Sequence, residues 1–173
     1  GWNTGRVKSP ELLQQLIRFN TVNPPGNEGP ALEHLRQLLE PVGWECQFLS
    51  KVPERPNLVA RLRGAEPGPN LALTSHVDTV PANPDEWSRD PWSGDLVDGY
   101  IWGRGALDMK DQVAAETAAC INLAESGWRP ARGDLILVVA ADEETGAHFG
   151  AKWLCENHPE EVRCDWVVNE GAG

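Results

Sequence analysis

The chain has 173 residues, enough for one well-packed core, and its 26 Asp and Glu against 15 Lys and Arg give a net charge of −11. That balance argues against nucleic-acid binding, which needs a surplus of cations on one face. An apolar fraction of 40% and a charged fraction of 24% are those of a globular domain, and no window is long or apolar enough to cross a bilayer.

The opening residues through Arg6 lack the charged-then-apolar pattern of a secretory leader, so a cytoplasmic location is expected. Ser9-Pro10-Glu11, followed by Leu12, Leu13, Leu16 and Ile17, predicts a helix with Ser9 as its N-cap. Two prolines and two glycines make 21–29 a loop, and a second amphipathic helix follows from about Pro30 to Leu39, closed by Gly43. Three short apolar runs, Trp44 to Leu49, Asn57 to Leu62 and Leu71 to Thr74, read as strands. The Pro-, Asp- and Trp-rich stretch 77–94 is expected to be an ordered loop held by its aromatic side chains, and Leu96 to Trp102 a short hairpin. An Ala-rich helix is predicted from Met109 to Ser126, ended by Gly127. Leu135 to Ala140 reads as a strand covered on both faces, Phe149 to Asn157 as a helix, and Trp166 to Val168 as a last buried strand. Cys46, Cys120, Cys155 and Cys164 lack the close pairing of a zinc ribbon or redox motif and are expected as reduced, buried thiols. The alternation of elements predicts a layered α/β domain with a mainly parallel sheet.

Four segments carry chemistry. Ser75-His76-Val77-Asp78-Thr79-Val80-Pro81 follows the third strand, at the end where open α/β sheets place ligands. In extended chain His76 and Asp78 face one side, as suits a metal ligand and the carboxylate that fixes its tautomer, although a His-x-Asp pair also serves as a structural hydrogen bond. Gly103-Arg104-Gly105-Ala106-Leu107-Asp108-Met109-Lys110 places Asp108 at a helix start, either as an ordinary N-cap or beside a closely approaching group. Asp142-Glu143-Glu144 gathers three acids at a strand end, which is either a solvated turn or a site neutralised by a cation. Asn169-Glu170-Gly171 adds a fourth acid-bearing strand end.

In kind and order these four motifs, with Trp87-Ser88-Arg89-Asp90-Pro91-Trp92-Ser93-Gly94 between the first two, resemble the M20 zinc metallopeptidases and amidohydrolases. That family includes aminoacylases, carboxypeptidases, acetylornithine deacetylases, desuccinylases and dipeptidases. The resemblance implies a three-layer α/β/α zinc-peptidase-like fold with a mainly parallel mixed sheet. It also implies two zinc ions, with cobalt or manganese as substitutes. Carried over, His76 and Glu170 bind one zinc, Glu144 the other and Asp108 both; Asp78 orients His76, Glu143 is the general base, and the Asp108–Met109 peptide is cis. The resemblance further implies that residues 1–173 are the N-terminal portion of a catalytic domain. A lid or dimerisation domain, the C-terminal part of the catalytic domain and a further His ligand would lie beyond it, in a parent enzyme that is a homodimer. His34, His148 and His158 are expected at the surface. The expected substrate is an N-acyl amino acid or short peptide, with no nucleic acid or membrane as partner. The competing reading is a non-catalytic metal-binding or scaffold domain of the same fold.

Overall fold

The computed structural model describes residues 6–171, so residues 1–5 of the opening stretch, read above for the absence of a leader, lie outside the described residues, as do 172 and 173. No helix among the described residues is long and apolar enough to cross a membrane. Helix α1, Ser9–Ile17, has Pro10 in its first turn and buries Leu12, Leu13, Leu16 and Ile17. That is the i, i+3, i+4 spacing of one helical stripe. Its N-cap is Lys8, with no side-chain cap, because Ser9 has already turned into the helix. Helix α2, Gly29–Leu39, buries Ala31, Leu32, Leu35 and Leu39, and Gly43 supplies the left-handed φ of 95° that ends the following 3-10 turn.

The strands are β1 Glu45–Ser50, β2 Pro56–Leu62 and β3 Leu71–His76, then the small hairpin β4 Leu96–Val97 with β5 Tyr100–Ile101. Helix α3 Lys110–Glu125, strand β6 Leu135–Ala140, the short helices α4 Ala151–Asn157 and α5 Pro159–Val162, and strand β7 Trp166–Val168 complete the chain. Five strands form one mixed sheet in the order β1-β2-β6-β3-β7. β2 pairs antiparallel with both β1 and β6, whereas β3 pairs parallel with β6 and β7. Four strands therefore share one direction and β2 alone opposes them. The reversal has a local cause, since only a short turn joins β1 to β2 and a crossover needs a dozen or more residues.

β6 is buried along its whole length, and its side chains alternate between two cores. Leu135, Leu137 and Val139 join Leu58, Ala60 and Leu62 beneath α1, α2 and α3, while Ile136 and Val138 join Val59, Ala72 and Leu154 on the α4 face. The sheet is thus sandwiched between helices, thickly on one face and thinly on the other.

Two expectations fail here. β7 is an exposed edge strand: Trp166, Val167 and Val168 are 70%, 56% and 49% exposed, because only β3 borders it and no described helix covers it. The cysteines are all free, but only Cys120 is buried, and Cys155 on α4 is exposed.

Where α3 lies against β3, its Ala-rich face hides an acid. Glu116 is buried; Gln112 Nε2 donates to its Oε1 at 2.9 Å, and the buried Ser75 hydroxyl lies near the carboxyl. Burial raises its pKa above 4.5, and these two groups lower it in part. A raised folded-state pKa means a contribution to stability that is complete below the unfolded value and is lost as pH rises. Glu116→Gln is therefore expected to stabilise the protein by roughly 1 kcal/mol at pH 7, about 2–4 °C in Tm, with the gain vanishing near pH 4. Thermal melts of both proteins across that range check it, and an equal gain at pH 4 would count against a titrating carboxyl.

Candidate metal centre

The register of the sheet decides what meets at its end. His76, the last residue of β3, pairs with Ala140, the last of β6, so both strands stop at one level. β2, running the other way, begins there, with Leu58 opposite Val139. Residues preceding β2 are thereby delivered to the carboxyl ends of β3 and β6.

His76 is 2% exposed, and its Nδ1 lies 3.0 Å from the Asp78 carbonyl oxygen and 3.3 Å from Asp78 Oδ1. A carbonyl only accepts, so Nδ1 carries the hydrogen and Nε2 of the neutral ring presents a lone pair. That Nε2 is buried without a hydrogen-bond partner and faces Asp108 Oδ1 at 3.3 Å, Glu143 Oε2 at 3.5 Å and Glu170 Oε2 at 3.8 Å. Burial pulls the imidazole pKa down, but the hydrogen bond and charge of Asp78, with Glu143 behind, outweigh it and lift the pKa to about 9. The carboxylates thus favour a positive charge beside Nε2, which a proton supplies in the metal-free protein and a bound cation would supply in its place. Two donors each about 2.0–2.1 Å from a tetrahedral cation stand roughly 3.3 Å apart, so the spacing suits a small divalent cation.

Asp108 lies between β5 and α3. Gly105 has φ of +83°, and a Cβ there would meet Thr79 Cγ2 at 2.8 Å, so only glycine lets this loop pass so close to the His76 segment. The Asp108–Met109 peptide is cis. Met109 Sδ accepts from the His76 backbone N–H at 3.3 Å, beneath the imidazole. Lys110 is 1% exposed, and its ammonium donates to the carbonyls of Leu16 at 3.0 Å and Phe19 at 2.8 Å, tying this loop to the end of α1. Burial brings the Lys110 pKa down to about 7. The N-cap reading of Asp108 fails: the cap position of α3 is Met109, no side chain caps it, and the Asp108 side chain points into the site, 64% exposed.

The three acids after β6 divide. Asp142 is buried at a left-handed φ of 63°; it accepts from Asn23 Nδ2 at 3.0 Å and from Phe149 N at 3.1 Å, and it pairs with Arg55 at 3.4 Å. Thr145 Oγ1 also donates to it, and these hydrogen bonds with the more distant Arg55 hold it ionised, so it is an anchor outside the cluster. Glu143 and Glu144 then sit in a 3-10 turn, Glu143–Thr145, whose first two N–H groups donate to Asp78 Oδ1 and Oδ2, each at 3.1 Å. Burial would raise Asp78, yet hydrogen bonds from His76, Asn23 and this turn lower its pKa and keep it ionised. For Glu144 and Glu170, burial and the nearby charge of Asp108 push the carboxyl pKa up, and Glu144 Oε1 is buried without a partner.

All six residues singled out in the sequence thus lie at one end of the sheet. Two groups among the described residues bring ligand atoms within 4.8 Å of one another, His76 with Asp108 and Glu170, and His76 with Glu143 and Glu144. The structure does not group Glu144 with Asp108, so the half of the site assigned to a second ion is the less developed one. The His34 ring packs at a tilt against Phe19, that of His158 at a tilt against Trp153, and His148 is exposed; none joins either group.

Sequence reasoning missed the supports: Asn23, Glu28, Arg55 and Asn57. Glu28 is wholly buried and accepts from Arg55 Nε at 2.9 Å and Nη2 at 2.7 Å. Gly26, at φ +74°, leaves room for that guanidinium, which a Cβ would meet at 2.4 Å. Asn57 donates to Leu49 O and Phe149 O at 3.0 and 2.8 Å and accepts from Ala141 N at 2.9 Å. The glycine in Asn23-Pro24-Pro25-Gly26 was the only local signal of such a close approach.

The sequence pattern of Peptidase family M20/M25/M40 matches residues 72–173. A succinyl-diaminopimelate desuccinylase of Paracoccus denitrificans is 38% identical over 162 residues, which is 93% of this chain and 39% of that protein. In fold, the chain is similar to an M20 family metallo-carboxypeptidase of Sulfolobus solfataricus, with a TM-score of 0.81 at 22% identity over 96% of this chain and 38% of that one. It is also similar to a dinuclear metal binding peptidase of the M20 family from Bacillus subtilis, with a TM-score of 0.62 at 21% identity over 86% of this chain and 38% of that one. The chain spans about two fifths of the length of these proteins.

Proposed function

The chain belongs to peptidase family M20/M25/M40, and from that premise we propose that it carries most of the metal site of a two-zinc hydrolase that cleaves an amide bond. The observation that carries the reading is the unpartnered, buried His76 Nε2 aimed at three carboxylates. In this reading residues 1–173 are the N-terminal portion of the catalytic domain, with one further ligand and the lid supplied from outside it. His76 and Glu170 would hold one cation and Glu144 the other, with Asp108 placed to serve either. Cobalt or manganese would fit the same oxygen-rich donor set.

Divalent cations bound there would supply Lewis acidity, polarising the scissile carbonyl and acidifying the attacking water. The protein's own groups do the rest. Asp78 holds the His76 tautomer through Nδ1 and, through its two oxygens, fixes the turn that bears Glu143. Glu143 takes the proton of the attacking water and returns it to the departing amine, so that no free amide anion forms. The substrate proposed is an N-acyl amino acid or short peptide; the desuccinylase relatives, whose name denotes removal of an acyl group from an amine, favour the former. Four free thiols are consistent with a cytoplasmic location.

Metal analysis tests this. After equilibration with zinc and gel filtration, the protein is expected to retain at least about one equivalent, held as in a three-ligand site. Dipicolinate is expected to remove it, and with it any hydrolysis of an N-acyl amino acid. Retention of no metal would favour the scaffold reading of this fold.

A further inference from the structure

We propose that Asn23 is a positioning residue, whose side-chain amide sets the distance between the His76 strand end and the Glu143–Glu144 turn by donating to Asp78 and Asp142 together. The inference rests on the metal-site reading above. Asn23 Nδ2 lies 2.8 Å from Asp78 Oδ2, 3.0 Å from Asp142 Oδ1 and 3.1 Å from Thr145 Oγ1. Asn23 is 3% exposed, Asp78 0% and Asp142 2%, so no solvent shares this work. Two buried carboxylates brought this close repel each other unless a donor stands between them. A primary amide has two N–H bonds on one nitrogen and no charge, so it bridges both acids without cancelling the negative potential a metal site needs. A lysine or arginine at this position would place its charge beside His76 and compete with the cation.

The geometry also separates this role from mere loop packing. The backbone of the Asn23 segment is already fixed beside residues 77–79: Asn23 N donates to Thr79 O at 2.8 Å, Thr79 N to Thr21 O at 3.1 Å, and Thr21 Oγ1 to Val77 O at 2.6 Å. The side chain is free to serve Asp78 and Asp142. Without it, Asp78 Oδ2 keeps only the Glu144 N–H, and nothing joins Asp78 to Asp142. The strand end carrying His76 and the turn carrying Glu143 and Glu144 then stay joined by the Glu143 and Glu144 N–H bonds to Asp78 but lose the tie that runs from Asp78 through Asn23 to the start of the turn at Asp142. An outer partner of this kind typically changes metal affinity by about 10–100-fold.

Zinc affinity of the protein, measured by competition with a chromophoric chelator at fixed pH, tests the proposal, with Tm of the metal-free protein recorded alongside. Asn23→Ala is expected to weaken zinc binding by at least about 10-fold. Thr21→Val, which removes a hydrogen bond from the same segment without touching either acid, is expected to lower Tm comparably and leave affinity near wild type. A loss below tenfold in Asn23→Ala, or one matched by Thr21→Val, overturns the proposal. If Asn23→Ala does not fold, Asn23→Ser is read by the same threshold, because one hydroxyl hydrogen cannot serve both acids. A wild-type protein that binds no zinc would sink the functional reading itself, an outcome distinct from a wild type that binds and an Asn23 variant that binds equally well.

Discussion

Glu143→Gln, introduced into a polypeptide with the complete site, is expected to lower kcat for amide hydrolysis by about 10²–10⁴-fold while leaving bound zinc and KM nearly unchanged. The amide keeps the shape of the acid but cannot accept the proton of the attacking water. Glu143 is suited to that work by its placement. Its backbone N–H is held by Asp78 Oδ1 at 3.1 Å, and its carboxylate stands 3.5 Å from His76 Nε2, in a side chain 53% exposed on the open side of the cluster. A group so exposed can reach a substrate. Single-turnover kinetics with metal analysis of the same samples check the result. Wild-type turnover in Glu143→Gln would remove Glu143 from the role of base, and a lost metal equivalent would make it a ligand instead.

Asn57→Ala is expected to destabilise the fold by about 2–4 kcal/mol, because it takes the side-chain partner from one buried and two part-buried backbone groups, with a cost of roughly 1–3 kcal/mol for the buried one and less for the others. Asn57 is fully buried and joins Leu49 O on β1, Phe149 O ahead of α4 and Ala141 N ahead of the acidic turn. Denaturant titration gives the loss directly. Asn57→Asp keeps the acceptor for Ala141 N but sets a buried carboxylate against two carbonyl oxygens, so a loss at least as large is expected. A change below 1 kcal/mol in Asn57→Ala would mean that these backbone groups find other partners.

Much of this was legible in the sequence because it depends on short-range regularities. The apolar run of β6, the stripe Leu12, Leu13, Leu16, Ile17 and the turn at Gly43 follow from periodicity and glycine conformation alone. The acids at the strand ends were visible for the same reason, each standing where a β run stops. The exposure of β7 was not legible, since Trp166-Val167-Val168 has the composition of a covered strand and only its place at the sheet edge leaves it bare. Nor was the division among Asp142, Glu143 and Glu144, which depends on where Arg55 and Asn23 reach in space. The cis peptide after Asp108 came from the resemblance alone, as nothing in the local residue types requires it.

The reversal of β2 carries a consequence for how the protein comes to have a site at all. Asn23 meets partners 55 and 119 residues away, Arg55 meets Asp142 across 87, and Asn57 meets Phe149 across 92. Contacts of such separation cannot form from local structure, and the chain entropy of closing those loops is lost before they give anything back. The pocket is therefore a late product of folding. Since β6 pairs between β2 and β3 and Asp142 directly follows it, the ring of supports around the site can close only when residues through Asp142 have joined the sheet.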